Sequence, residues 1–139
     1  MADEEDEALG TRDYRTLARF RRGLRAFLHF SEEAAGAEGL TPAQHQLLLA
    51  VRGHPADGPP SISEVAEALR LKTHSVGGLV DRAEEAGLVV SHADPADGRR
   101  RLIAVTPAGE EILERLSALH RRELRRFRDE MSALLDDLD

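Results

Sequence analysis

The chain has 139 residues, of which 41% are hydrophobic, and it carries 26 acidic and 19 basic side chains but no cysteine. A chain of this length is typical of one domain with a buried core, and without cysteine it has neither a disulfide nor a thiol sensor. The net charge of −7 would be unusual for a nucleic-acid-binding protein, but ten acids lie in residues 1–10 and 129–139, so the remaining chain is net positive.

An acidic segment opens the sequence, and residues 1–11 show no apolar periodicity. This composition is typical of a disordered tail. The longest apolar run in the sequence is residues 47–51, which is too short for a membrane span or for the core of a signal peptide. We therefore expect a cytoplasmic protein without a membrane partner.

A helical pattern follows, because apolar side chains recur at spacings of three and four residues at Leu17, Phe20, Leu24 and Phe27. The pattern predicts an amphipathic helix over residues 12–38. Arginines occupy much of its remaining surface, and we interpret them as a solvated face rather than as a nucleic-acid-binding patch. A second helix is predicted to open near Thr41 and to end before the proline-rich loop at residues 54–60.

Residues 61–79 carry the pattern of two short helices joined by a tight turn. Ser61 and Glu64 form a capping box, in which each side chain bonds to the backbone N–H of the other residue. The spacing that packs two helices at a steep angle is given by apolar residues at 65, 69, 71, 76 and 79, with alanine at 66. The pattern predicts a helix-turn-helix whose second helix can fill a major groove of DNA.

The turn of this helix pair holds Arg70, where glycine or asparagine would relieve left-handed strain. Thr73 or Ser75 is expected to cap the second helix. The outward positions of that helix are Lys72, Thr73, His74, Ser75, Gly77, Gly78, Asp81 and Arg82. Gly77 and Gly78 each cost about 1 kcal/mol relative to alanine in a helix interior. Either the bare backbone lies close to bases or phosphates, or the helix is locally soft without a special role, and the sequence leaves both interpretations open.

The second helix is expected to end at Gly87. Two strand-like runs follow at residues 88–90 and 102–105, and turn chemistry at residues 94–98 predicts a β-hairpin between them.

Three arginines leave this turn. We expect Arg99 to enter a minor groove, which attracts arginine where it is narrow. Arg100 and Arg101 are expected to pair with phosphates or with the domain's own acids. The alternative for all three is a solvated hairpin tip.

A last helix is predicted from Thr106 as N-cap and Pro107 at the first helical position. Its apolar stripe comprises Leu113, Leu116, His120, Leu124, Phe127, Met131, Leu134 and Leu138. A stripe of this length is more than a small domain buries by itself, so a partner helix and a homodimer are implied. Residues 129–131 are the expected place for a break in the helix.

Together these segments resemble the MarR family of bacterial transcription regulators over residues 12–138. The resemblance rests on the helix opening at 40–44, the helix pair at 61–79 and the segments 80–89, 94–100 and 102–109. Its most specific part is the combination of Asp97-x-Arg99 with Thr106-Pro107-x-Gly109.

The resemblance implies a mainly α fold with a small antiparallel β-hairpin in one domain over residues 12–139. A winged helix-turn-helix at 41–106 would be flanked by dimerisation helices at 12–38 and 107–139. Members of the family are homodimers that bind pseudo-palindromic double-stranded DNA operators, usually as repressors. Many release DNA when a small phenolic or other lipophilic effector binds between the dimer helices and the winged part.

The resemblance also assigns residues. Arg99 would be the wing arginine and Asp97 its orienting acid, residues 73–77 would face bases, and Arg82 would face the DNA backbone. The predicted DNA-binding residues are Lys72, Thr73, His74, Ser75, Gly77, Gly78, Arg82, Asp97, Arg99, Arg100 and Arg101.

Two histidines lie on apolar helix faces, His45 in the second helix and His120 in the last. Such a histidine is usually a hydrogen-bonded interface residue, but the family's effector pocket lies where these helices meet, so both are candidates for ligand binding. A metal-responsive regulator is an alternative. It would need His29, His45 and His120 to converge, with Glu32 or Glu33.

Signals of catalysis are missing from the sequence, which has no glycine-rich phosphate loop, nucleophile motif or pair of carboxylates with identifiable roles. We therefore predict neither an enzyme nor a cofactor. A function of another class stays open, namely a winged helix that binds a protein rather than DNA. The two differ in their response to salt, because affinity for DNA falls steeply as salt rises.

Overall fold

The computed structural model describes residues 8–138, in which five helices and one two-stranded antiparallel sheet follow one another. The helices are α1 (Thr11–Ala37), α2 (Pro42–Arg52), α3 (Ile62–Leu69), α4 (Thr73–Glu85) and α5 (Pro107–Leu135). The strands are β1 (Val89–Ala93) and β2 (Arg101–Val105). The predicted fold class is confirmed. Residues 1–7 of the predicted tail lie outside the described residues.

Contacts between residues divide the chain into two compact units, and the boundary falls inside α1 and inside α5. The terminal unit comprises the chain up to Ser31 and the chain from Leu119 onwards. The winged unit, Glu32–Ala118, contains α2, α3, α4 and both strands, together with the adjoining ends of α1 and α5.

The winged unit has a continuous apolar core to which each of its helices and both strands contribute. Val89 of β1 is 2% exposed and Ile103 of β2 has no exposed surface, so the base of the hairpin belongs to this core. Burial of apolar area is the main favourable term in folding. The buried cluster consists of Ala35, Leu40, Leu47, Leu48, Val51, Val65, Ala66, Val76, Leu79, Val80, Ala83, Leu88, Val89, Ile103, Leu113 and Leu116.

The hairpin is held along both edges of β2. On one edge β2 pairs antiparallel with β1, with Ala93 opposite Arg101. On the other edge the N–H of Ile103 donates to the carbonyl of Pro60 at 2.9 Å. The hairpin is thereby joined to the residues that precede α3. Both strands occur where the sequence predicts them, and β1 runs further towards the tip because its pairing continues to Ala93.

Three helices, α1, α3 and α4, end in the same way. Each is followed by a residue with positive φ, namely Gly39, Arg70 and Gly87. The next residue in each case donates its N–H to a carbonyl five residues back, at 2.9–3.0 Å, which is the Schellman arrangement. Arg70 (φ 55°, ψ 42°) is the only non-glycine with positive φ among the described residues, so the left-handed turn predicted there is confirmed.

Two expectations for the helix pair are wrong. The sequence pattern predicts Leu71 in the buried face, but Leu71 is 46% exposed, because the chain reverses at Arg70 and directs this side chain outward. Thr73 and Ser75 do not cap α4. The turn after α3 ends one residue earlier than expected, so the N-cap is Lys72, whose side chain makes no capping hydrogen bond.

In the terminal unit, α1 and α5 pack closely through a small residue. A Cβ atom on Gly23 would lie 2.5 Å from the Met131 Cε, and Met131 is 6% exposed. The rings of Phe27 and Phe127 lie 5.4 Å apart. α5 is continuous through residues 129–131, so the expected break is wrong. A break there would remove Met131 from its contact with α1.

The start of α5 is built on the end of α4. The hydroxyl of Thr106 accepts from the N–H of Gly109 at 3.1 Å and donates to the carbonyl of Gly87 at 2.6 Å. Thr106 is therefore the N-cap of α5, as predicted. A Cβ atom on Gly109 would collide with the carbonyl of Leu88 and lie 2.8 Å from a methyl group of Val105. This close approach explains the glycine of the Thr-Pro-x-Gly segment.

Gly109→Ala is expected to destabilise the protein by about 2–4 kcal/mol, because the added methyl group must displace the backbone at Leu88. Urea unfolding followed by circular dichroism measures the change. Gly36→Ala is the matched control, since Gly36 also lies in a helix but has open space around its Cβ position; it should stabilise by up to about 1 kcal/mol. A Gly109→Ala protein as stable as the wild type would contradict the close packing at this junction.

Candidate nucleic-acid interface

α4 has two faces of opposite character. Its buried residues are Val76, Leu79, Val80 and Ala83, which pack into the core of the winged unit. Its exposed residues, with the preceding N-cap, include Lys72, Thr73, His74, Ser75, Asp81 and Arg82. Because the buried face fixes the helix, the exposed face is presented on a rigid support, as a recognition surface requires.

The two glycines of α4 have no packing reason to be glycine. A Cβ atom at Gly77 would meet nothing within 4 Å, and one at Gly78 would lie 3.4 Å from Nη1 of Arg82. Both glycines are partly exposed. Close packing inside the protein is therefore excluded as their explanation, and the two interpretations from the sequence stay predictions.

The tip of the hairpin is a compact turn held by two aspartate side chains. Oδ1 of Asp94 accepts from the N–H of Ala96 at 2.9 Å, and Oδ1 of Asp97 accepts from the N–H of Arg99 at 3.1 Å. The N–H of Asp94 donates to the carbonyl of Arg100 at 2.8 Å. Such local bonds from aspartate to the backbone two residues on stabilise turns, so the tip has a defined shape.

The three consecutive arginines of the tip have different surroundings. Arg99 is exposed, and no acid within residues 8–138 forms an ion pair with it. Asp97 contacts the backbone of Arg99 rather than its guanidinium. Arg100 and Arg101 both pair with acids of their own chain. The sequence predicts two kinds of partner for these two arginines, phosphates and the domain's own acids, and the structure shows contacts with the acids.

Arg100 connects the tip to α3. Its Nη2 lies 2.9 Å from Oε1 of Glu64, and its Nη1 lies 3.4 Å from Oδ2 of Asp94. Oε1 of Glu64 also accepts from the N–H of Ser61 at 3.1 Å, which completes the predicted capping box, and Oε2 lies 3.1 Å from Nε2 of His54. One carboxylate thus joins the helix N-terminus, the preceding loop and the wing.

Arg101 connects the hairpin to α4. Its Nη2 lies 3.1 Å from Oδ1 of Asp81 and 2.7 Å from Oγ of Ser91. The sequence predicts the domain's own acids as possible partners of Arg100 and Arg101, but it does not identify Glu64, Asp81 or Ser91. Arg100 and Glu64 are 36 residues apart in the chain, and no local pattern connects them.

The surroundings of Glu64 lower its pKa. Hydrogen bonding with the backbone and the side chain of Ser61 contributes most, partial burial opposes it, and the charges of His54 and Arg100 lower the pKa further. The ionised form of Glu64 is therefore favoured in the folded protein.

The two predicted ligand-binding histidines belong to different units. His45 is buried in the winged unit, at 6% exposure. His120 is half-buried in the terminal unit, where its Nε2 lies 2.8 Å from Oγ of Ser31. Its ring packs in T-shaped arrangements with the rings of Phe27 and Phe30. Within residues 8–138 no three His, Asp or Glu side chains are grouped so as to hold a metal ion. Nor does any helix of that range combine the length and apolarity of a membrane span.

Glu64→Gln is expected to keep the capping box, since the equivalent box of α2 uses Gln44, but to lose the ion pairs with Arg100 and His54. A lowered pKa stabilises the fold at pH values above the ordinary value of 4.5, and this stabilisation is lost as the pH falls through the folded-state pKa. The wild type should therefore be more stable than the variant at neutral pH, by a few tenths of a kcal/mol, about what exposed pairs contribute.

Thermal unfolding between pH 7 and pH 3 measures this difference, which should shrink as the pH falls through the folded-state pKa of Glu64. Glu67→Gln, on the exposed side of the same helix, is the matched control for the loss of one carboxylate from α3 and should be as stable as the wild type at neutral pH. A constant gap between wild type and Glu64→Gln across this range would contradict the role given to the carboxylate charge.

Comparisons with known proteins agree with this architecture. A family model described as the MarR family matches residues 38–100. A Thauera aromatica protein described as a transcriptional regulatory protein for the hcr operon is 32% identical over 120 residues, which cover 86% of this chain and 68% of that protein. Other curated transcriptional regulators align over about half of their own length.

Solved structures share the fold. The MepR–DNA complex of S. aureus superposes with a TM-score of 0.63 at 22% identity, over 86% of this chain and 82% of that chain. CouR from Rhodococcus jostii RHA1, bound to p-coumaroyl-CoA, superposes with a TM-score of 0.66 at 28% identity, over 77% of this chain and 73% of that chain. The helix-turn-helix, the hairpin and the sequence similarity lead to one conclusion: the chain belongs to the MarR family of transcriptional regulators.

Proposed function

We propose that this regulator binds a pseudo-palindromic DNA operator as a homodimer, with α4 of each copy in a major groove and the hairpin tip at the adjacent minor groove. The observation that supports this most is the state of Arg99. It lies exposed on a well-defined turn, and no acid among the described residues neutralises its guanidinium. Because Arg100 and Arg101 are already paired, Arg99 is the cation of the tip that is available to an external anion.

The exposed residues around α4 receive two kinds of role. We assign the reading of bases to Thr73, His74 and Ser75, whose short or planar polar side chains leave the first turn of the helix. Lys72 and Arg82 are assigned to phosphates, since a charged contact to the DNA backbone positions the protein without specifying sequence. Gly77 and Gly78 would let the helix backbone approach the DNA.

Arg99→Ala is expected to weaken binding to every operator variant about tenfold and to lower the slope of log affinity against log salt by about two, because each copy in the dimer loses one phosphate-neutralising charge. Fluorescence anisotropy of a labelled operator at several salt concentrations measures both quantities. The base preference recovered by selection from random duplexes should stay that of the wild type, because the minor groove carries little base identity.

Arg52→Ala is the matched control, because Arg52 belongs to the same unit but pairs with Glu110 of α5, at 3.0 Å, and not with an acid of the hairpin tip or of α4. This variant should bind DNA as the wild type does. Wild-type affinity and slope in a folded Arg99→Ala protein would make the hairpin tip a solvated turn. If the wild type enriches no motif from random duplexes, the alternative of a protein-binding winged helix takes the place of the regulator proposed here.

The proposed homodimer depends on the terminal unit. Leu17 in α1 and Leu124 in α5 belong to predicted apolar stripes, yet they are 52% and 50% exposed. Leu28 and Leu135 are also about half exposed, at 50% and 49%. Exposed apolar surface of this extent is typical of an interface, and a second copy of the same helices is the partner that closed symmetry favours.

Leu124→Glu is expected to shift the protein from dimer towards monomer, because a carboxylate cannot be buried in an apolar interface without a partner. Sedimentation velocity at micromolar concentration measures the shift. Arg122→Glu, two residues earlier and therefore on the other side of α5, is the control and should remain dimeric. A wild-type protein that is folded and monomeric at this concentration would refute the dimer.

An effector is the further part of the proposal. The complex of CouR with p-coumaroyl-CoA supports an aromatic acid or its thioester as the class of ligand. His45 of the winged unit and His120 of the terminal unit are separate candidates for contact with such a ligand. Thermal-shift titration with p-coumarate and with p-coumaroyl-CoA tests binding, and release of labelled operator tests the response.

Repression of the target gene stays a prediction, which a reporter gene downstream of the selected operator would test.

A further inference from the structure

Arg101, the first residue of β2, turns away from the hairpin tip and towards α4. Its Nη2 lies 3.1 Å from Oδ1 of Asp81 and 3.7 Å from Oε1 of Glu84, both on α4. The Oγ of Ser91 on β1 lies 2.7 Å from the same Nη2 and 3.3 Å from Nε, and the hydroxyl of Ser91 donates to Glu84. We refer to Asp81, Glu84, Ser91 and Arg101 as the wing clamp.

The wing clamp continues the attachment of the hairpin beyond the point where its apolar core ends. Alternate residues of a strand share a face, and the face turned towards the helices carries the buried Val89 and Ile103 at the base of the hairpin. On the same face Ser91 lies opposite Ile103, and Arg101 lies two residues nearer to the tip. In this part of the hairpin the contact with α4 is therefore made by polar groups.

The surroundings of Arg101 do not favour a phosphate contact. Its side chain is 37% exposed, and its Nη2 and Nε atoms are directed at the carboxylates and the hydroxyl of the clamp. Two carboxylates beside one guanidinium leave the cluster net negative, which repels a phosphate. The guanidinium of Arg99, two residues earlier, forms no ion pair with an acid of the described residues, and Asp97 contacts only the backbone of Arg99.

We propose that Arg101 is a positioning residue for DNA recognition, which holds the hairpin at a fixed place relative to α4 through the wing clamp. The proposal rests on the proposed function, because it requires that α4 and Arg99 contact the same DNA. With the clamp closed, the distance between α4 and Arg99 is fixed, so the protein fits one spacing between the bases read by α4 and the minor groove reached by Arg99. With the clamp open, the wing samples several positions, and more conformational entropy is lost when Arg99 binds.

Measurements of DNA binding distinguish positioning from direct contact. Arg101→Ala is expected to weaken operator binding about fivefold, while the slope of log affinity against log salt stays that of the wild type, because no phosphate contact is lost. Arg99→Ala is the direct-contact reference and Arg52→Ala the control. Arg101→Lys should recover part of the affinity, because it keeps the charge but lacks the planar fork that reaches two partners at once.

The double variant tests the coupling to α4. The preference for operator over scrambled duplex is measured for Arg101→Ala, for Asp81→Ala and for the double variant. Because the two residues act through one contact, the double variant should lose no more of this preference than the more strongly affected single variant. A second operator has one base pair inserted between the major-groove half-site and the flanking A·T step. This insertion should reduce the affinity of Arg101→Ala by a smaller factor than it reduces the affinity of the wild type. A slope lowered by about two in Arg101→Ala, one for each copy in the dimer, or additive losses, would overturn the proposal and make Arg101 a phosphate contact.

A second measurement needs no DNA. The chain has no cysteine, and a side chain at Gly98 would meet nothing within 4 Å, so Gly98→Cys can carry a nitroxide label at the hairpin tip. Arg101→Ala should increase the mobility of this label in continuous-wave EPR, and Arg52→Ala should leave it unchanged. Unchanged mobility in a folded Arg101→Ala protein overturns the clamp. A wild-type protein that selects no operator overturns the proposed function instead, so the two failures are distinguishable.

Discussion

A two-stranded hairpin is at best marginally stable by itself in water, so the wing of this chain depends on its attachment to the helices. Burial holds its base, where Ile103 has no exposed surface. A backbone hydrogen bond from Ile103 to Pro60 holds its outer edge. Ion pairs hold the part beyond the core, where Arg100 reaches α3 and Arg101 reaches α4. These attachments reach different elements, so the wing is connected to both helices of the helix-turn-helix.

For the candidate DNA interface, the position of each charged side chain matters more than the net charge of the chain. The net charge is −7, yet the candidate interface is defined by single cations in particular surroundings. At physiological salt an exposed charge is screened beyond about 8 Å, so a phosphate at the hairpin tip responds to its immediate neighbours. Arg100 and Arg101 offer such a phosphate little, because their own acids surround them. Arg99 offers an uncompensated guanidinium on a turn that Asp97 shapes through the backbone.

Features that involve only near neighbours in the chain could be predicted well. The Ser61–Glu64 capping box, the N-cap at Thr106 and the left-handed turn at Arg70 each depend on residues within a few positions of one another. Two predictions at the start of α4 failed, the burial of Leu71 and the cap by Thr73 or Ser75. Both depend on where a short turn ends to within one residue, and hydrophobic periodicity does not resolve an offset of that size.

By itself, the sequence determined the order and type of the elements and the family of the chain, because helix periodicity, caps and turn residues act over a few positions. It separated Arg99, which is expected in a minor groove, from Arg100 and Arg101, but it left open whether those two pair with phosphates or with the domain's own acids. Only the tertiary structure decided which acids these two arginines contact, since it brings Glu64 to Arg100 and Asp81 to Arg101 across 36 and 20 residues of chain. An ion pair depends on distance in space, and that distance exists only once the core has placed α3, α4 and the hairpin side by side.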